Sequence, residues 1–319
     1  LKDLSSKYSY ILEPAFPSDL PQPNKTDLQN LTQKYGVKFP KSYVDFQLIY
    51  CHKMPMGDLS FVGFGWANKN LDDYLNLENI VKEAKELNLP AYLTPFKYEN
   101  GDFWCFDTRT GEDEFEVVIW DHNADNPNYP IQILNDSLAK SFISASAFHL
   151  YLGHESALSK LHQAHPDKKI YFTEQWTGAK GSFAGDFMWH MEHIVIGTMT
   201  NWSSMVLEWN LANDPTYGPH TPGGCTECLG ALTIAGSDLK RNVSYYIIGQ
   251  VAPFIPAGSA RIQTKSSNAQ IKSIGFKRPD GKNVLVALNT GKETVFTIDF
   301  EQKKYNFTLP EKSASTIVW

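Results

Sequence analysis

Between Ala147 and Asn210 short apolar runs alternate with stretches of helical length. Strand-like runs at Ala147–Tyr151, Lys169–Thr173 and Met205–Asn210 are separated by helical patterns over Ala157–Ala164 and Phe183–Thr198. Successive strands joined by helices lie parallel, because a parallel pair needs a long crossover, and the helices then cover the faces of the sheet. This segment therefore predicts part of a parallel α/β layer. From about Ile262 the pattern becomes all-β, with runs at Val284–Leu288, Val295–Phe300, Tyr305–Leu309 and Ser315–Trp319 and a turn signal at Asp280-Gly281. Strands at such short spacing predict a β-sandwich.

The first half reads differently. A polar, proline-broken lead-in occupies residues 1–24, followed by helical patterns over Thr26–Tyr35, Lys41–Tyr50 and Leu71–Leu87. Asp27 falls in a first turn, where a carboxylate complements the helix dipole. Phe103–Asp107 and Glu116–Trp120 are strand-like, and the polar segment Thr108–Asp113 between them predicts a hairpin. Ser137–Ala147 closes the region as a helix. Helices followed by meandering strands make an α+β domain.

Length and charge narrow the function classes. At 319 residues the chain has room for two domains, and its net charge of −6 supplies no basic field for nucleic acid. No apolar run approaches the ~18 residues of a membrane span. No signal peptide is visible from Leu1, and the compartment is not readable. Four cysteines are too few for a disulfide scaffold in a chain of this size. Cys225 and Cys228 form one CxxC, which reads as a local disulfide or free thiols rather than a metal site, since zinc needs about four ligands.

Several spaced motifs of the first half occur in a familiar order: Phe39-Pro40-Lys41-Ser42-Tyr43, Leu89-Pro90 with Pro95-Phe96, and Asn100 through Asp107. Val117-Val118-Ile119-Trp120-Asp121-His122 and Ser141-Phe142 follow them. Over residues 20–145 this resembles the SUKH superfamily of cell-wall regulators and immunity proteins. The resemblance implies a protein-binding module, with a protein partner. Asp102, Asp107, Asp121 and His122 read as turn-supporting residues rather than a metal or acid–base cluster, and Trp104 and Trp120 as core.

The second half resembles the C-terminal half of glycoside hydrolase family 30. Ala147-Phe148-His149-Leu150-Tyr151 and His165 through Glu174 look like barrel strands six and seven. Asn201-Trp202 and Glu208-Trp209-Asn210-Leu211-Ala212 look like strand eight. Gly223 through Ile234, Tyr245-Tyr246, Phe254 through Ile262 and Ser313 through Thr316 complete the match. The resemblance places Glu174 as the catalytic nucleophile. Bottom-up, Glu174 is the first charged residue after the strand Ile170–Thr173, and the carboxyl ends of barrel strands carry catalytic groups. By the same resemblance His149 and Tyr151 stand beside the nucleophile, with Tyr151 bonding to it. Trp209 and Asn210 would line the sugar subsite, an indole face suiting a pyranose and an amide its hydroxyls.

The expected fold is thus an α+β domain (1–145), a partial (β/α) barrel of strands six to eight (146–260) and a β-sandwich (261–319). The family's second carboxylate, the acid/base of an Asn-Glu-Pro motif after strand four, has no counterpart. Leu12-Glu13-Pro14 is the nearest string. Glu192 falls on an outer helix, and Glu208 alternates with Trp209, so neither is assigned the role. The resemblance implies a retaining β-glycosidase of glucosylceramidase type, acting on a β-linked glycoside or glycolipid without cofactor or metal. The alternative is a non-catalytic binding or immunity-type module carrying a remnant half-barrel. Family relatives are commonly secreted.

Overall fold

The computed structural model describes residues 24–50, 77–91, 93–99, 102–108, 117–220 and 224–319. Outside the described residues lie the lead-in before residue 24, Cys51, the first turns of the helix expected from Leu71 and most of the Thr108–Asp113 connection. The chain divides into two compact units, the second running from Val117 to Pro219 and from Cys225 to Trp319.

In the first unit the helices α1 (Lys25–Tyr35), α2 (Lys41–Tyr50) and α3 (Leu77–Glu86) precede a hairpin of β1 (Leu93–Glu99) and β2 (Asp102–Asp107). A capping box starts α1: Asn24 accepts from the Asp27 N–H at 3.0 Å, while Asp27 accepts from the Asn24 N–H at 3.3 Å. Gly36, at φ +62°, ends it. Leu77, Ile80, Val81 and Ala84 recur at helical spacing on α3, and all four are buried. The first three join Leu28 and Leu31 of α1 in one apolar cluster.

The second unit is built on a parallel sheet in the order β3-β4-β5-β7: β3 (Val118–Ala124), β4 (Ala145–Gly153), β5 (Lys169–Glu174) and β7 (Ser203–Val206). Helices α4 (Asn128–Leu134), α5 (Ser137–Phe142) and α6 (Ser156–Ala164) connect the first strands. After β5 come the short β6 (Thr177–Gly178) and α7 (Phe183–Trp189), which runs on as a π-helix over His190–Thr198. Phe148, Leu158, Leu161, Ile170 and Phe172 form the core of this layer, with Ile119 and Trp120 packed on it.

Four expectations change here. The hairpin between Phe103–Asp107 and Glu116–Trp120 does not form: β2 pairs with β1, and β3 pairs in parallel with β4. Ile119 and Trp120 find their apolar partners around Phe148 and Phe172, which a hairpin with β2 would not supply. A fourth parallel strand thus precedes the three expected, and the unit starts ahead of residue 146. The helix expected over Ser137–Ala147 ends at Phe142, and Ala145–Ala147 begin β4. The run Met205–Asn210 is a strand only as far as Val206, leaving Trp209 and Asn210 in the following loop. Among the described residues the sheet is open, with β3 and β7 as its edges, and no barrel closes.

Beyond β7 the chain forms β8 (Ala212–Asn213), β9 (Cys228–Leu229) and the hairpin β10 (Leu232–Ala235) and β11 (Asp238–Arg241), then α8 (Val243–Gly249). Cys225 and Cys228 are joined as a disulfide. The sandwich follows, with a sheet β12-β13-β14-β17 of Ala260–Ile262, Ile271–Lys277, Asn283–Asn289 and Ser313–Val318. Its second layer is the hairpin β15 (Thr294–Phe300) and β16 (Lys303–Leu309). The Asp280-Gly281 turn joins β13 to β14, with Gly281 at φ +86°.

Every residue of β14 is buried. Val284, Val286 and Leu288 pack with Met191, Val195 and Ile247 of the helices, whereas Leu285 and Ala287 pack with Ile298 and Leu309 of the hairpin. A strand covered on both faces carries a continuous apolar run, which is the Val-Leu-Val-Ala-Leu seen here.

Two positions hold this unit through backbone contacts. Gly153 has φ +91°, and a Cβ there would stand 2.2 Å from the Ala124 carbonyl carbon. Gly153→Ala is expected to destabilise the unit by about 2–4 kcal/mol, read as a lowered thermal midpoint. Asn289 is fully buried, donating to the carbonyls of Lys292 (2.8 Å) and Pro310 (2.9 Å) and accepting from the Gly291 N–H at 3.0 Å. Asn289→Ala strands these groups and is expected to cost about 2–4 kcal/mol in denaturant unfolding.

Candidate active site at the carboxyl edge of the parallel sheet

Parallel pairing brings the carboxyl ends of neighbouring strands to one edge of the sheet. His149 of β4 stands in register with Glu174 of β5, and Asn123 of β3 with His149. Along β4, burial is complete through Phe148 and gives way to exposure at Tyr151 and Leu152. The strand thus passes from the core to an open rim within four residues, and the polar side chains collect there.

Tyr151 donates its hydroxyl to Glu174 Oε1 at 2.9 Å. Burial pushes the Tyr151 phenol far above its ordinary range, and the charge and hydrogen bond of Glu174 push it the same way. Tyr151 therefore remains a donor. His149 Nδ1 lies 3.7 Å from the same Glu174 oxygen, and its Nε2 lies 3.2 Å from Asp121 Oδ1. Thr173 donates its hydroxyl to that Asp121 oxygen at 2.6 Å. Burial alone would raise the Asp121 carboxyl, but the bonds from His149 and Thr173 outweigh it and hold the group below its ordinary value. Asn123 fixes the end of β4 by accepting from the N–H groups of Tyr151 (3.1 Å) and Leu152 (3.3 Å).

The sheet brings Glu174, His149 and Tyr151 together. Trp209 comes near through its backbone, donating its N–H to the carbonyl of Gln175 at 2.7 Å. Asn210 follows in the left-handed region at φ +67°, and its carbonyl accepts from Ala231. Glu208 does not alternate with Trp209 on a strand, since both follow the end of β7. Its side chain is 4 % exposed and bonds His190 Nδ1 at 2.8 Å. Its charge also acts on Tyr151. Glu192 pairs with Lys272 of β13 at 3.7 Å.

Asp121 and Thr173 are members of this cluster that the sequence reading did not place here. A usable signal existed. Val117–Trp120 is an apolar strand closed by a carboxylate, the same pattern that marks Ile170–Glu174. Among the described residues no three His, Cys, Asp or Glu side chains are arranged to hold a metal ion. No described helix is long and apolar enough to cross a membrane. A cavity of about 430 Å³ opens in the sandwich beside Ile262, Leu285, Phe300 and Trp319, and none of the residues around Glu174 lines it.

The chain is similar to known proteins. Residues 105–255 match the glycosyl hydrolase family 30 TIM-barrel domain and residues 258–317 the family 30 beta sandwich domain. Residues 2–132 match the SMI1-KNR4 cell-wall family of SUKH type. The chain belongs to glycoside hydrolase family 30 through its second half and carries a SUKH-type domain in its first.

An endo-1,6-beta-D-glucanase of Aspergillus fumigatus is 32% identical over 275 residues, covering 81% of this chain and 54% of the relative. Another, from Trichoderma harzianum, is 29% identical over 61% of this chain and 41% of its own length. Among solved structures, an endo-beta1,6-glucanase superposes with a TM-score of 0.61 at 32% identity, over 66% of this chain and 50% of its own. SrfJ from Salmonella typhimurium gives the same TM-score at 31% identity, over 66% and 49%. The chain spans about half the length of the relatives it matches.

The depressed Asp121 carboxyl has a consequence for stability. Its folded value lies below its unfolded one, so its contribution is present above the ordinary carboxylate range and fades as pH falls through the folded value. Asp121→Asn is therefore expected to lower the thermal midpoint at pH 7, with the gap to the native chain closing below about pH 3.8.

Proposed function

We propose that the second unit is the nucleophile-bearing half of a retaining β-glucoside hydrolase, with Glu174 as the nucleophile. The observation that supports it most is the 2.9 Å bond from Tyr151 to Glu174 at the open carboxyl edge of a parallel sheet. There a carboxylate is held by one donor and keeps its second oxygen for chemistry. Glu174 attacks the anomeric carbon and the aglycone departs with the bonding electrons. Water then hydrolyses the glycosyl ester. His149, Trp209 and Asn210 line the sugar subsite. β-Linked glucosides are the substrate class, and the names of the fungal relatives favour 1,6-linked glucan over a glycolipid.

Retention needs a second carboxyl group about 5–5.5 Å from the nucleophile as general acid. Asp121 is engaged by His149 and Thr173, and Glu208 is buried against His190. The acid is therefore assigned to a partner outside this chain's open four-stranded sheet. The open sheet also favours a second reading, in which the unit binds sugar without turnover and the SUKH-type domain, matched over residues 2–132, recruits a protein.

One experiment separates the two. A 2-deoxy-2-fluoro-β-glucoside with a dinitrophenyl leaving group needs no general acid, so it reports on the nucleophile alone. Intact-mass analysis is expected to show one glycosyl adduct on the native chain and none on Glu174→Gln. Tyr151→Phe is expected to form the adduct about ten times more slowly, consistent with losing one hydrogen bond to a charged group. A folded native chain that forms no adduct would overturn the catalytic reading in favour of binding.

A further inference from the structure

We infer that Asp121 is a positioning residue for the Glu174 site, fixing the angle and tautomer of the His149 ring beside the nucleophile. The role rests on the proposed function of Glu174.

The backbone of β3 is distorted at this residue. Its pairing with β4 passes from Trp120↔Ala147 to His122↔Phe148, so Asp121 is the extra residue of a bulge. Trp120 and Asp121 have φ of +77° and +46°. Such conformations cost about 1–3 kcal/mol each in a residue other than glycine and persist where surrounding contacts compensate. A bulge re-aims a side chain. Here the compensating contacts come from the two next strands, with Thr173 of β5 and His149 of β4 meeting the same Asp121 oxygen. Trp120 secures the bulge from its other side, donating its indole N–H to the Asn123 carbonyl at 2.9 Å.

The chemistry of the partners sets the ring. An ionised carboxylate only accepts, so the proton of the 3.2 Å contact resides on His149 Nε2. In the neutral ring this leaves the Nδ1 lone pair on the side of Glu174. The 3.7 Å separation from Glu174 Oε1 is too long for a direct hydrogen bond. Tyr151 supplies the donor to that oxygen, and its ring stands edge-on to His149 with centroids 6.1 Å apart. A neutral His149 thus presents an acceptor next to the nucleophile, suited to a hydroxyl of the bound sugar. Without Asp121 the ring is free to turn over or to exchange tautomers, and the acceptor becomes a donor competing with Tyr151 for Glu174.

The test uses the full chain with ¹⁵N-labelled histidine, assigning His149 from His149→Gln. Two-bond ¹H–¹⁵N correlations are expected to show the Nε2–H tautomer in the native chain and a mixture in Asp121→Ala. The rate of adduct formation with the fluoroglucoside is expected to fall about ten- to a hundredfold in Asp121→Ala, with little change in the half-saturating concentration. Thr173→Val, which removes one of the two bonds to Asp121, is expected to fall between. If Asp121→Ala does not fold, Asp121→Asn, equal in size, gives the same comparison.

Unchanged His149 signals and an unchanged rate in a folded Asp121 variant would overturn the inference. An altered tautomer with a slower rate supports it, and an altered tautomer at the native rate limits Asp121 to structure and overturns it. A native chain that is not labelled at all overturns the role of Glu174 instead. The tautomer measurement then still decides whether Asp121 sets the ring.

Discussion

Parallel pairing between β4 and β5 is the constraint on which the rest of the second unit depends. It places His149 beside Glu174 across the sheet and lets Tyr151, two residues further along β4, reach back to the same carboxylate. An antiparallel pair would send the two carboxyl ends to opposite edges. The crossover helix α6 makes the parallel arrangement, and Leu158 and Leu161 on that helix join Phe148 and Phe172 in the core beneath the rim. Core and site are therefore consecutive stretches of the same strands.

The sandwich is tied to the same layer through a shared apolar face. Val284, Val286 and Leu288 of β14 pack with Met191 and Val195 of the π-helix that leads from β5 towards β7. His190, at the start of that helix, holds the buried Glu208. A buried carboxylate is costly unless it is bonded. The His190–Glu208 pair thus anchors the loop that delivers Trp209 to the Gln175 carbonyl.

Among the described residues the sheet has four strands, with β3 and β7 at its edges. The chain spans about half the length of relatives to which it is about 32% identical. The rim around Glu174 is organised by contacts within β3, β4, β5 and the loop after β7. The contacts around Glu174 thus come from these elements alone among the described residues.

Much of this was legible in the sequence because it depends on local pattern. The alternation from Ala147 to Asn210 announced parallel strands, the closely spaced runs after Ile262 announced the sandwich, and Glu174 was marked by following an apolar strand directly. What the sequence left open depends on partners distant along the chain. Val118–Ala124 reads equally well as half of a hairpin, and only the apolar surface offered by Phe148 and Phe172 decides that it joins β4. The bulge at Asp121 has no sequence signature, since it exists through bonds from Thr173 and His149, 52 and 28 residues away. Glu208 likewise looked like a strand residue until His190 drew it into the interior. Local pattern fixed the elements and the nucleophile candidate, whereas contacts between strands decided the register and the partners around it, because side-chain periodicity reports which residues are apolar but not which distant surface they will meet.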